Sequence, residues 1–227
     1  MVRARHCIGA TALPRDAGHA THPAVARERP RLTMNSNSMT SNKLPTVVIV
    51  PGLRDHMPDH WQTLLAEHLQ KQGRAVHIVP QIDQDQRLRS ARVANLDRVV
   101  SGIEGPVILV AHSVGVLITV HWAQQASREI KGALLAAPPD YETPLPAGYS
   151  DPQTLARNGW TPVPRERLPF PSIVVASRND PIGKFERIRE LAQDWDSRFV
   201  DAGHVGHLSP ADGYGTWPMA EELIQEL

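Results

Sequence analysis

From residue 46 onward the chain alternates between short unbroken apolar runs and apolar residues at helical spacing. Thr46–Val50 is continuous, apolar and largely β-branched, the pattern of a strand buried on both faces. Trp61, Leu64, Leu65 and Leu69 then recur at helical spacing, so one face of a helix can be buried. Asp59 and Gln62 form a capping-box pattern ahead of it, and Gly73 is placed to end it. The rhythm repeats: strands are predicted at Ala75–Val79, Pro106–Ala111, Ala133–Ala136, Ser172–Ala176 and, shorter, Arg198–Val200. Between them fall a helix carrying Val93, Leu96, Val100 and Ile103, another carrying Leu117, Ile118, Val120 and Trp122, and a third over Ile182–Trp195. A last helix spans Thr216–Leu227. Residues 138–171 break the pattern with nine of the chain's 20 prolines. Proline fixes φ and lacks an N–H, so a loop or lid with at most a short helix is expected there.

Strand–helix alternation requires crossover connections and predicts an α/β fold: a mostly parallel, six-stranded sheet with helices on both faces. In such sheets functional residues collect on loops leaving the carboxyl ends of strands. That rule selects residues 51–57, 112–115, 177–181 and 201–209 before any chemistry is considered.

Residues 1–45 follow neither period. They carry scattered arginines and a polar run from Asn35 to Asn42, and are expected to form a disordered N-terminal extension, with Met34 and Met39 as alternative starts. No apolar stretch there suits a signal peptide. The single domain is expected over residues 46–227. The 24 basic residues equal the 24 acidic ones, which gives no basic excess for a nucleic-acid partner. Val47–Val50 is far too short for a membrane span. One cysteine, Cys7, makes no intrachain disulfide. A cytoplasmic protein is expected, with no nucleic acid and no membrane as partner.

The third strand runs into Ala111-His112-Ser113-Val114-Gly115. A serine on a sharp strand-to-helix turn exposes its hydroxyl above the sheet, and small residues two before and two after let the backbones approach. Ala111 stands where the fuller pattern has glycine. Serine at this place is also a common helix N-cap. A nucleophilic Ser113 needs a base and an acid from later strands. Asp180, in Asn179-Asp180-Pro181 after the fifth strand, is the candidate acid; a plain turn is its alternative, and Asp201 is a rival. His207 is preferred over His204 as base because Gly206 gives its loop room to turn over the site. The order Ser113, Asp180, His207 is that of the α/β-hydrolase arrangement. His204 and His207 alone fall short of the three or four ligands a zinc site needs, so no metal and no cofactor is expected. Oxyanion donors are expected at Val114 and, after Gly52, at Leu53. His60 and Trp61 are candidate substrate-binding residues, with packing the alternative for Trp61; His56 is a further pocket candidate.

Val-Pro-Gly followed by Asp59-His60-Trp61, Ala-His-Ser-Val-Gly at 111–115, Leu168-Pro169-Phe170-Pro171-Ser172, Asn179-Asp180-Pro181, Gly206-His207 and Gly213-Tyr214-Gly215-x-Trp217-Pro218 together resemble the YdeN/retinoblastoma-binding-protein-type serine hydrolases. The resemblance runs in order from about residue 46 to 220. It implies a compact α/β-hydrolase without a separate cap domain and the triad Ser113, Asp180, His207. Ser209 departs from the asparagine that often follows the histidine in that family. The expected reaction is hydrolysis of a small carboxylic ester through an acyl-serine. Amide or small-peptide cleavage on the same triad is the alternative, as is a non-catalytic binding module on this fold.

Overall fold

The computed structural model describes residues 44–53, 57–82 and 88–227. The expected extension at 1–45 lies almost wholly outside them, as does His56. Six strands form one sheet: β1 (Thr46–Val50), β2 (Val76–Ile78), β3 (Val107–His112), β4 (Gly132–Ala136), β5 (Ser172–Ala176) and β6 (Arg198–Asp201). Their order is β2-β1-β3-β4-β5-β6 and every pairing is parallel. Among the described residues the α-helices are α1 (Trp61–Lys71), α2 (Arg89–Ser101), α3 (Val114–Ala123), α4 (Pro152–Arg157), α5 (Phe185–Asp194) and α6 (Pro218–Gln225).

The continuous apolar runs are explained by the two cores they serve. Val48, Val50, Leu109, Ala111, Leu135 and Val174 face one core with α2, α3 and α5; Val47, Ile49, Ile108, Val110, Leu134 and Val175 face the other with α1 and α6. Side chains of a strand alternate between faces, so a sheet covered on both sides needs apolar residues at every position. Helix α3 is buried at all ten of its residues, as a central helix packed all round must be.

Two sequence expectations are corrected. Asp59 is not the cap of α1. His60 is the N-cap, accepting the Gln62 N–H at Nδ1. The Gln62 side chain turns inward instead and donates to the carbonyls of Val50 at 3.3 Å and Val110 at 3.0 Å. A buried amide needs such partners, and the ends of β1 and β3 supply them. Leu64 is only half-buried, the inner face being completed by Ala66. The proline-rich segment is a loop with one short helix, α4, as its prolines imply, and Leu155, Trp160, Val163 and Leu168 anchor it in the first core. Among the described residues no helix is long and apolar enough to cross a membrane.

Candidate active site

Ser113 alone makes the turn between β3 and α3, at φ 57° and ψ −127°. A non-glycine residue there stores about 1–3 kcal/mol of strain and persists only when its surroundings impose it. They do: its N–H donates to the Ala136 carbonyl at 3.0 Å and its own carbonyl accepts from Val116 at 2.9 Å. The backbones close tightly around it. A Cβ on Gly115 would stand 2.2 Å from the Val50 carbonyl oxygen, so only glycine fits. Gly52 also lies against the serine, where a Cβ would come within 3.2 Å of Ser113 Cβ. Ala111 is fully buried, its methyl absorbed by the first core. The Ser113 hydroxyl makes no capping bond to α3. It meets His207 Nε2 at 2.8 Å instead.

His207 Nδ1 lies 2.8 Å from Asp180 Oδ2. The other Asp180 oxygen accepts the Ile182 N–H at 2.9 Å. With both oxygens accepting, Asp180 holds the imidazole with its proton on Nδ1 and leaves Nε2 as the acceptor for the serine. The Asp180 side chain is 2% exposed and that of His207 16%, so the chain of groups is sheltered yet open at one end. Gly183 allows this closeness, since a Cβ there would meet the Pro138 carbonyl oxygen at 2.6 Å. The rivals lie elsewhere. Asp201 pairs with Arg178 Nε at 2.9 Å, and that hydrogen bond holds its carboxyl below the ordinary range. His204 is exposed.

Three groups that position this site were not singled out from sequence. Asp212 accepts from the His207 N–H at 3.0 Å, the Ser209 N–H at 3.2 Å and the Ser209 hydroxyl at 2.6 Å. Burial pushes its carboxyl up, but these hydrogen bonds outweigh burial and hold it below its ordinary value. Asn179 accepts the Gly206 N–H at 2.8 Å. Gly206 itself sits at φ 60°, pressed against Asp212, which leaves no room for a side chain. His112 is buried and its Nε2 lies 2.8 Å from the His207 carbonyl oxygen; burial lowers its pKa well below normal, so it is neutral and donates Nε2–H. The signal for His112 was its place beside the nucleophile. Asp212 lies in a polar turn that reads as an ordinary loop.

A cavity of about 360 Å³ opens over Ser113 and His207. Val114, Leu53 and His60 are on its wall. Trp61 is not, which corrects its candidacy for substrate: it is 1% exposed and packs edge-on against Trp217 at 4.8 Å in the second core.

A family model described as serine hydrolase matches residues 47–226. The chain belongs to the serine hydrolase family. This hydrolase is 31% identical to a YdeN-like hydrolase from Pectobacterium atrosepticum, at TM-score 0.66, with 79% of this chain and 89% of that one covered. The ydeN gene product of B. subtilis is 20% identical at TM-score 0.62, covering 81% of this chain and 98% of its own. Est1E from Butyrivibrio proteoclasticus shares the fold at 14% identity and TM-score 0.63, covering 82% and 89%. The hydrolase thus falls in the α/β-hydrolase superfamily. A comparison with the curated proteins finds no match.

Proposed function

We propose that this serine hydrolase cleaves a small carboxylic ester, with Ser113 as nucleophile, His207 as base and Asp180 as the group that orients it. The observation that carries the reading is the pair of 2.8 Å contacts running from Ser113 Oγ through His207 to Asp180 beneath an open cavity. As Oγ attacks the ester carbonyl, its proton passes to His207 Nε2 and Asp180 stabilises the imidazolium. The developing oxyanion takes hydrogen bonds from the N–H groups of Val114 and Leu53. Collapse of the tetrahedral intermediate expels the alkoxide, which takes the proton from Nε2. Water activated by the same imidazole then attacks the acyl-serine, releasing the acid and restoring Ser113. His60 borders the substrate. Leu53, Met57, Tyr149, Pro181 and Ile182 give the cavity an apolar wall suited to a neutral acyl chain.

A fluorophosphonate probe tests the nucleophile: the wild type and Ser101→Ala should be labelled, and Ser113→Ala should not. Failure of the folded wild type to label would favour a binding module. With p-nitrophenyl butyrate, His207→Ala should lose about 10²–10⁴ in kcat and His204→Ala less than about threefold. The reverse ranking reassigns the base. Turnover of alanyl-p-nitroanilide without turnover of the butyrate would overturn the ester reading.

A further inference from the structure

Outside the reacting groups, an ordered set of polar side chains leads from α2 to the loop after β1. Asn95 Nδ2, on α2, donates to the Pro80 carbonyl at 2.7 Å, tying down the chain that leaves β2. One turn earlier on the same helix, Arg92 Nη1 donates to Gln81 Oε1 at 3.2 Å. Arg92 is 6% exposed. Gln81 Nε2 donates in turn to the Gly52 carbonyl at 2.8 Å. Arginine has only donors, so Arg92 fixes which end of the Gln81 amide is oxygen and which is nitrogen. The nitrogen must then face Gly52.

This direction matters because of the peptide that follows. The Gly52–Leu53 unit is planar, and in a trans peptide the C=O and the next N–H point to opposite sides. Gln81 and Arg92 do not line the cavity above Ser113, whereas Gly52 and Leu53 do. A Gly52 carbonyl drawn toward Gln81 therefore turns the Leu53 N–H to the side away from Gln81. Gly52 is already held against the serine, its absent Cβ leaving 3.2 Å to Ser113 Cβ. We propose that Gln81, oriented by Arg92, is a positioning residue that sets the Leu53 N–H as an oxyanion donor. Gln81 touches neither the substrate nor the reacting atoms. It prepays the alignment that an oxyanion hole needs in order to act without reorganising during the reaction.

The inference rests on the proposed serine mechanism and on Leu53 as donor. Gln81→Glu separates position from stability. The carboxylate has the same shape and pairs with Arg92, but it repels the Gly52 carbonyl instead of donating to it. With p-nitrophenyl butyrate, kcat should fall about 10- to 100-fold, short of the roughly 10²–10³ for outright removal of an oxyanion donor. KM should stay within about threefold. The inhibition constant of a butyl trifluoromethyl ketone, whose serine adduct carries an oxyanion, should rise in parallel with the loss of kcat. A merely structural role would not tie the two together. Gln81→Met, similar in length and unable to donate, should behave alike and replaces the first variant if that does not fold. A folded variant with kcat within threefold of wild type, or a loss of kcat with unchanged affinity for the ketone, overturns the inference. Absence of fluorophosphonate labelling at Ser113 in the wild type would instead overturn the underlying mechanism.

Discussion

Gly115→Ala is the sharpest probe of how the turn at Ser113 is built. The added methyl would sit 2.2 Å from the Val50 carbonyl oxygen and 2.9 Å from that of Pro51. A carbon and an oxygen in van der Waals contact need more than 3 Å, so the overlap approaches 1 Å. It cannot be relieved by a rotamer, because both partners are backbone. Strand β1 is paired on both sides, Val50 with Ala111 and Ile49 with Ile78, so it cannot retreat without weakening two ladders. Inserted methyl groups in packed cores cost about 1–3 kcal/mol and at times more; a rigid clash of this depth belongs at about 3 kcal/mol. For a domain of this size that corresponds to a drop of about 6–12 °C in Tm. The easier relief is a shift of the first turn of α3, which carries Ser113 away from His207 and turns the Val114 N–H. Calorimetry and the rate of fluorophosphonate labelling measure the two effects, and labelling should slow by at least about tenfold. A variant that melts within 2 °C of wild type and labels at the same rate would refute this account of the turn.

Two further predictions rest on groups described above. His121 is buried, with Nε2 3.2 Å from the Trp160 carbonyl oxygen, and burial lowers its pKa to about 4. Its unfolded value is near 6.5, so between the two the unfolded chain binds the extra proton and stability falls as pH drops. The loss from this group should reach about 1–2 kcal/mol by pH 5; buried His112 acts in the same direction. Thermal melts from pH 7.5 to 5 should therefore show a shallower decline for His121→Gln, and parallel curves would contradict the assignment. Asp212→Ala removes the acceptor for three donors around His207. It should cost about 2–3 kcal/mol and slow labelling of Ser113 more than tenfold, whereas unchanged labelling would show that the loop holds its shape without that carboxylate.

The sheet was legible because β1, β3, β4 and β5 are buried at every residue and apolar at all but the end residues Thr46, His112 and Ser172, which few other environments demand. The strand-end rule then led to Ser113, Asp180 and His207, and the structure brings these three side chains together. Residues whose partners are distant backbone atoms escaped. Gln62 reads as a capping residue by spacing, yet its amide goes to two carbonyls on β1 and β3, a pairing only tertiary structure creates. Trp61 stands among candidate pocket residues in sequence, but its neighbour is Trp217, 156 positions on, and their contact draws it into the core. Asp212 and Gln81 lie in connecting segments whose composition is ordinary; Asp212 matters through the three donors it accepts from, and Gln81 through the direction of its amide.

Neighbouring strands lie about 4.8 Å apart, and β6 is three places from β3 in the sheet. The segment that carries His207 must therefore span roughly 14 Å sideways, across the tips of β5 and β4, to reach the serine. It behaves as a cantilever braced by Asn179 and Asp212. Residues 140–150 take no part in that span, and Tyr141 and Tyr149 reach the cavity from them. Descendants of this scaffold are free to acquire new tastes in substrate there while the span over the sheet stays the same length.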